Sequence, residues 1–136
     1  MTTFDDFKAD LALFDDWEDR YRALIDLGRM LEPLPELART EANKVRGCSS
    51  QVWLTAQHTP DGALHFTGDS DAHIVRGLVA LLFLLYQDRT PAAIHAIDAR
   101  ARLQELGLAG HLSPTRTNGL YSMVERIRAM AAEAMA

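Results

Sequence analysis

The longest apolar run of the chain lies within the sequence AHIVRGLVALLFLLY, residues 72–86. Apolar side chains occur on nearly every side of a helix built from these residues, whereas a surface helix carries them on one side. The run at residues 78–86 is far shorter than the ~20 apolar residues that span a bilayer. We therefore predict a buried central helix from about residue 72 to 86, with Asp-Ser-Asp at residues 69–71 as its N-terminal cap.

Amphipathic helices are predicted on both sides of this central helix. Residues 17–31 carry apolar side chains at the three-, four- and seven-residue steps that place them on one face. Asp16 suits the start of that helix, because a negative charge is favoured near unpaired backbone N–H groups. Pro33 ends it, because proline has no N–H to donate. Further helices are predicted at residues 4–14, after Thr90-Pro91, at residues 99–106 before Gly107, and in a final amphipathic segment containing Leu120 to Ala131.

A β-hairpin is predicted before the central helix. Residues 51–59 and 63–67 are short extended runs, and Pro-Asp-Gly at residues 60–62 is a turn sequence, because proline presets φ and glycine accepts a positive φ. Residues 43–46 are a third candidate strand, since an isolated hairpin is only marginally stable. The predicted fold is therefore α+β, with a small antiparallel sheet of about three strands and helices mainly on one face. The side chains expected to face the same core are Val52, Leu54, Leu64 and Phe66.

Length and charge restrict the classes of function. The chain has 136 residues, a size typical of one domain, so residues 1–136 are expected to form a single domain. Its net charge is −5, and a mildly acidic chain lacks the basic face that binding to nucleic acid requires. The sequence at the start of the chain has neither the basic nor the apolar region of a signal peptide. We expect a cytoplasmic protein that binds neither nucleic acid nor a membrane.

Cys48 is the first candidate for chemistry. It is the one cysteine of the chain, which excludes an intramolecular disulfide and the cysteine-rich ligand sets of zinc fingers and iron–sulfur proteins. A lone cysteine is commonly a small buried apolar side chain. The polar sequence at residues 43–51, with Gly47 before the thiol, indicates instead an accessible loop in which Lys44 and Arg46 would favour the reactive thiolate. Both interpretations stay open on the residues alone.

Other polar residues give weaker signals. Asp69, Asp71 and His73 are a conceivable metal cluster, although helix capping explains the two aspartates well. No two of the five histidines have the i, i+4 spacing of a helical zinc site. The alternative function is a cysteine-nucleophile hydrolase, in which Cys48 acts with a histidine base. The residues considered for that base and its orienting group are His111, His58 and Asn118.

Four segments form a pattern when they are taken together. They are Trp17 with Arg20-Tyr21 and Leu27-Gly28, Gly47 to Trp53, Gly68 to Ala72 with Ile74 to Leu78, and His111 to Arg116 with Gly119-Leu120. In this order and spacing they resemble the SufE family, the sulfur-acceptor partners of cysteine desulfurases, over about residues 14–130. The CsdE proteins share the framework, but Ser50-Gln51 and Asp71-Ala72 are closer to SufE.

The resemblance implies a specific function. A SufS-like, pyridoxal-phosphate-dependent cysteine desulfurase would hold sulfur as a persulfide on its own cysteine. Cys48 would accept that sulfur, stimulate the enzyme by doing so, and pass the sulfur to a SufB-like scaffold for iron–sulfur cluster assembly. This transfer is a thiolate attack on a sulfur–sulfur bond, which requires neither a metal nor a cofactor on this chain. The resemblance also implies a fold like that of IscU-type scaffolds. The oligomeric state, a homodimer included, is left open.

Further site residues are expected around Cys48. If the fold brings Arg116, just before the last predicted helix, to the cysteine, its cation would stabilise a thiolate or persulfide anion. Asp71 would cap the central helix, contact the loop, or both. We expect the loop to hold the sulfur against apolar neighbours and to swing outward when the desulfurase docks, because an exposed thiolate oxidises readily. The loop and partner-facing residues are Gly47, which is the predicted hinge, Ser49, Ser50, Gln51 and Asp71.

Overall fold

Residues 2–135 are described by the computed structural model, and they form six α-helices and one two-stranded antiparallel sheet. The elements are α1 (Phe4–Ala12), α2 (Trp17–Gly28), β1 (Val52–His58), β2 (Leu64–Ser70), α3 (His73–Tyr86), α4 (Pro91–Ala96), α5 (Ala99–Gln104) and α6 (Pro114–Met135). The predicted α+β class is confirmed. Within this part of the chain, no helix is both long enough and apolar enough to cross a membrane.

Helix α3 is the centre of the core, as predicted. Ten of its 14 residues are buried, among them an unbroken run at residues 77–83 that covers every side of the helix. Helix α2 crosses α3 so closely that the two backbones meet at Gly28 and Gly77. A Cβ atom on Gly77 would lie 2.7 Å from the carbonyl carbon of Leu24, and one on Gly28 would lie 2.7 Å from the backbone nitrogen of Gly77. The crossing therefore requires glycine on both helices.

The predicted β-hairpin is confirmed. β1 pairs with β2 in an antiparallel register that places Val52 opposite Ser70 and His58 opposite Leu64. One face of the hairpin packs on α3. The four side chains expected in the core are all buried there: Val52, Leu54, Leu64 and Phe66.

The predicted third strand is wrong. Residues 43–46 contact β1 through one isolated bridge at Lys44 and form no strand. The residues before that bridge, Glu41–Asn43, wind into a short 3-10 turn, so the extended stretch is too short to become a strand. The sheet therefore has two strands, and the loop that carries Cys48 begins directly after the bridge.

The acidic residues before α3 do not cap it, contrary to the prediction. Asp69 belongs to β2 and forms ion pairs with Arg39 and Arg76 at 2.6 and 2.9 Å. The N-cap of α3 is Ala72, which has no side-chain acceptor. The reason is that β2 continues to Ser70, so Asp69 lies within the strand and pairs with two arginines instead of with the start of the helix.

Of two helix starts predicted from the sequence, one agrees with the structure and one differs. Thr90 caps α4 as predicted, because its Oγ1 accepts a hydrogen bond from the N–H of Ala93 at 3.2 Å. The last helix begins earlier than predicted. The hydroxyl of Ser113 accepts a hydrogen bond from the N–H of Arg116 at 3.2 Å, and Pro114 is the first helical residue. Arg116 therefore lies in the first turn of α6 and not in a loop.

Candidate functional site

The loop that carries Cys48 lies against α6. Gly47 turns this loop with a φ of 84°, a left-handed conformation that favours glycine. A Cβ atom on Gly47 would also lie 2.6 Å from the hydroxyl oxygen of Ser122 on α6. The backbone conformation therefore favours glycine, and any other residue would also require the Ser122 side chain to rotate away.

The Cys48 side chain is half-buried between the loop and two helices. Its Sγ lies 3.6 Å from the carbonyl oxygen of Gly119, to which the S–H donates. The sulfur borders a cavity of about 10 Å³, which is roughly the space that one water molecule occupies. Cys48 is thus neither an exposed loop tip nor a fully buried core residue. The apolar side chains that line the cavity are Val75, Leu78, Leu120 and Met123.

Burial raises the pKa of the Cys48 thiol. Lys44 and Arg46 do not reverse this rise in the thiol pKa, because both cations pair with Glu41, at 3.0 and 3.9 Å. The expectation that these two cations favour the thiolate is therefore wrong for the docked loop, in which the protonated thiol is favoured.

Arg116 lines the same small cavity as Cys48. It approaches from the first turn of α6, and Gly119 of the next turn contacts the sulfur. The fold therefore brings the segment of Arg116 to the cysteine, which is the condition on which its predicted role depends. Its stabilisation of a sulfur anion stays a prediction.

The end of the loop is attached to the corner between β2 and α3. The N–H of Gln51 donates to Oδ1 of Asp71 at 3.0 Å, and the N–H of Asp71 donates to the carbonyl of Gln51 at 3.3 Å. Ser49 and Ser50 line the cavity beside Cys48. Of the two roles that the sequence left open for Asp71, the structure supports contact with the loop and not capping of the helix.

The histidine base of a cysteine hydrolase is not assembled. The ring of His111 stacks on Trp17 with the ring centroids 3.7 Å apart. His58 is exposed at the end of β1 that lies away from the loop. Neither histidine lines the cavity beside Cys48, and Asn118 does not line it either. A metal centre is not assembled among residues 2–135, because no three His, Cys, Asp or Glu side chains there are grouped to hold an ion.

Three residues on α6 position the loop through contacts that the sequence did not predict. Arg126 donates to the carbonyl of Ala42 at 2.9 Å, just before the loop. Ser122 packs on Gly47, and Gly119 contacts the sulfur. A sequence signal existed for Gly119 and Ser122. They follow Arg116 at three-residue steps, and residues three apart lie on the same face of a helix. There was none for Arg126, whose partner is a backbone carbonyl.

A second and much larger cavity, of about 920 Å³, lies elsewhere in the fold. It is bordered by the start of α1, the end of α2, the edge of β2 and the segments around α4 and α5. It shares no lining residue with the cavity beside Cys48. Its volume would suit a small molecule, but the one thiol of the chain does not line it. Volume alone therefore does not make it the site of chemistry.

Comparison with known proteins identifies the family. Residues 5–131 match the family model of SufE, an Fe-S metabolism associated domain. An uncharacterized SufE-like protein of Rhizobium meliloti (strain 1021) is 48% identical over 134 residues, which are 96% of this chain and 96% of the relative. An uncharacterized SufE-like protein of Rhizobium etli is 48% identical over 131 residues, which are 94% of this chain and 88% of that relative.

A solved structure shares the fold. The solution structure of a hypothetical protein from Thermus thermophilus superposes with a TM-score of 0.74 and covers 95% of both chains. The two sequences are 22% identical, so this likeness concerns the fold alone. The family match spans nearly the same residues as the resemblance seen in the sequence, and two relatives support it. The chain belongs to the SufE family, whose domain is associated with iron–sulfur metabolism.

Proposed function

We propose that this protein carries sulfur from a SufS-like, pyridoxal-phosphate-dependent cysteine desulfurase to a SufB-like scaffold for iron–sulfur cluster assembly. Membership of the SufE family supports a sulfur-transfer role in iron–sulfur metabolism. The observation that carries the proposal is the position of Cys48. The one thiol of the chain is half-buried on a loop, beside a space of about one atom. One such thiol suffices for a carrier, whereas a cluster scaffold needs several ligands.

The transfer is a balanced exchange of sulfur–sulfur bonds. The Cys48 thiolate attacks the outer sulfur of the desulfurase persulfide. A sulfur–sulfur bond forms at Cys48 as the one on the enzyme breaks, and the cysteine of the enzyme leaves as a thiolate. The outer sulfur keeps its oxidation state, so neither an oxidant nor a reductant is consumed. An acceptor thiolate then attacks the outer sulfur in the same way, and Cys48 leaves as a thiolate. Removal of the persulfide from the desulfurase would stimulate that enzyme.

Mass spectrometry tests this proposal directly. The protein, incubated with L-cysteine and a cysteine desulfurase, is expected to gain one sulfur atom, about 32 Da, which a thiol reductant removes because a persulfide exchanges with thiols. A sample without L-cysteine is the matched control. An acyl adduct formed from an activated ester and identified by its mass, with no sulfur adduct, would support the cysteine hydrolase instead. No adduct at all, with Cys48 inert to alkylation, would refute both functions.

Docking of the desulfurase is predicted to expose the Cys48 thiol. The docked loop holds the sulfur against α6, yet transfer requires direct contact between the sulfurs of two proteins. We expect iodoacetamide to alkylate Cys48 about tenfold faster, or more, when a desulfurase lacking its own reactive cysteine is bound, which corresponds to about 1.4 kcal/mol in favour of the released loop. A peptide of residues 43–53 is the control, and its rate should not change. Equal rates for the protein with and without the desulfurase would contradict this loop switch.

Arg116 is predicted to stabilise the sulfur anion during transfer, because its exposed position on the first turn of α6 leaves it beside the cavity from which Cys48 is released. Because a hydrogen bond to a charged group contributes ~1.5–3 kcal/mol, we expect Arg116→Ala to slow the gain of mass roughly tenfold to hundredfold. Arg116→Lys should retain part of the rate, since it keeps the charge. Arg100→Ala is a suitable control, because Arg100 packs on Tyr121 and does not line the cavity beside Cys48. A normal transfer rate for Arg116→Ala would refute this role.

A further inference from the structure

The hydrogen bond of the Cys48 side chain distinguishes the thiol from the thiolate. Its partner is the main-chain carbonyl of Gly119, and a carbonyl oxygen can only accept. The contact therefore requires the proton on the sulfur. A thiolate in the same position would place its charge 3.6 Å from an oxygen of partial negative charge, beside a cavity with largely apolar walls.

We propose that Gly119 is a positioning residue that docks Cys48 as the protonated thiol, so that ionisation of the thiol and release of its loop occur together. In the docked state the sulfur is protonated and shielded from oxidants. In the released state it ionises freely and attacks. This inference concerns the site of the proposed sulfur transfer. Its tests measure docking of the loop and do not measure sulfur transfer. The docking proposal and the proposed sulfur transfer can therefore fail independently of each other.

Gly119 also provides the space that docking needs. A Cβ atom at this position would lie 3.5 Å from the sulfur, which is an ordinary van der Waals contact. A methyl group therefore fits there, whereas a long side chain would fill the cavity of about 10 Å³. The carbonyl of Gly119 belongs to the helical ladder of α6, and its second lone pair is available to the thiol.

The charged groups around the loop do not cancel the preference of the docked site for the thiol over the thiolate. On α6, Arg116 lines the cavity but is itself exposed, and burial is the cause that raises the pKa of the Cys48 thiol. On the segment of the loop itself, Lys44 and Arg46 are held by Glu41. At the corner between β2 and α3, the carboxylate of Asp71 binds the loop backbone. Helix α3 contributes uncharged side chains to the cavity.

Amide hydrogen exchange of residues 45–51 in the full chain measures docking as a function of pH. Below the pKa of the released thiol, ordinarily ~8.5, we expect constant protection after correction for the intrinsic exchange rate. Above it, protection should fall about tenfold per pH unit until the loop is fully released, because only the docked state requires the proton. Cys48→Ser keeps a hydroxyl donor that does not ionise in this range, so its loop should show no such fall. Wild-type protection that does not change between about pH 7 and pH 10 would overturn the proposal.

The pair Cys48→Asp and Cys48→Asn separates charge from shape. The two side chains are nearly equal in size, but aspartate is ionised at neutral pH and asparagine can donate to the Gly119 carbonyl. We expect the loop of the aspartate variant to be protected at least about tenfold less, because a buried unpaired charge is strongly disfavoured. Equal protection in the two variants would overturn the proposal.

Gly119→Leu and Gly119→Ala test the space beside the sulfur. Leucine should displace the thiol, which removes both the protection of the loop and its dependence on pH. Alanine should leave both unchanged, since its methyl group makes only an ordinary contact. A leucine variant with a docked, pH-dependent loop would show that Gly119 does not position Cys48. Should the leucine variant fail to fold, the aspartate and asparagine variants decide the question.

Discussion

A Cys48→Ser variant should acquire no sulfur from a cysteine desulfurase under conditions in which the wild-type protein gains about 32 Da. The loss should be complete, because a serine hydroxyl is not appreciably ionised at neutral pH and cannot form a persulfide. Stimulation of the desulfurase should be lost as well, since the persulfide would stay on that enzyme. Serine can still donate to the carbonyl of Gly119, so we expect the docked loop and the fold to be retained.

Mass spectrometry and desulfurase turnover measure this prediction, with thermal unfolding as the test that the variant is folded. Ser49→Ala is the matched control, because it changes the neighbouring residue and keeps the thiol. It should still reach the mass of the sulfur adduct. A gain of about 32 Da on folded Cys48→Ser protein would show that sulfur is held elsewhere, and the proposed carrier function would then be wrong.

Replacement of Gly77 by alanine should destabilise the fold more than any other single-methyl change proposed for this chain. The new Cβ atom would lie 2.7 Å from the carbonyl carbon of Leu24, and a backbone atom cannot rotate away as a side chain can. Helices α2 and α3 would have to separate, with loss of packing along their whole contact. We expect a loss of about 3 kcal/mol in the free energy of unfolding, at the upper end of typical overpacking costs.

Thermal or urea unfolding measures this loss, and a decrease in Tm on the order of 10 °C is expected for a chain of this size. Gly119→Ala is the matched control, because it also adds one methyl group to a glycine inside a helix. Its Cβ atom makes an ordinary contact, so the higher helix propensity of alanine should stabilise the protein by up to about 1 kcal/mol. Equal stability of Gly77→Ala and wild-type protein would mean that the two helices do not meet as closely as described.

Local structure was predictable wherever neighbouring residues carry the signal. The central helix at residues 72–86 and the hairpin around residues 60–62 follow from apolar periodicity and turn chemistry. One error arises from distant partners, and the other arises from a competing local turn. An aspartate before an apolar run predicts a helix cap, but Arg39 and Arg76 bind Asp69 within β2. The marginal stability of an isolated hairpin favours a third strand at residues 43–46, but the 3-10 turn at Glu41–Asn43 shortens the extended segment.

The candidate site was predictable in part. Cys48 could be singled out because it is the one thiol of the chain and follows a glycine in a polar segment. Its acidity could not be predicted, because adjacent cations suggest a lowered pKa, whereas burial in the fold raises it. The effect of Lys44 and Arg46 depends on where their side chains point, and both point to Glu41.

The amino-acid sequence determined the helices, the hairpin and the presence of a single sulfur nucleophile, because periodicity, turn residues and cysteine number are properties of the chain itself. The tertiary structure decided that Gly119 contacts Cys48, that Arg116 lines the same cavity, and that Gly28 and Gly77 bring two helix backbones together. These contacts join residues far apart in the chain. They exist because packing of the core brings the helices and the loop into place, and burial, with its effect on a thiol, arises only from that packing.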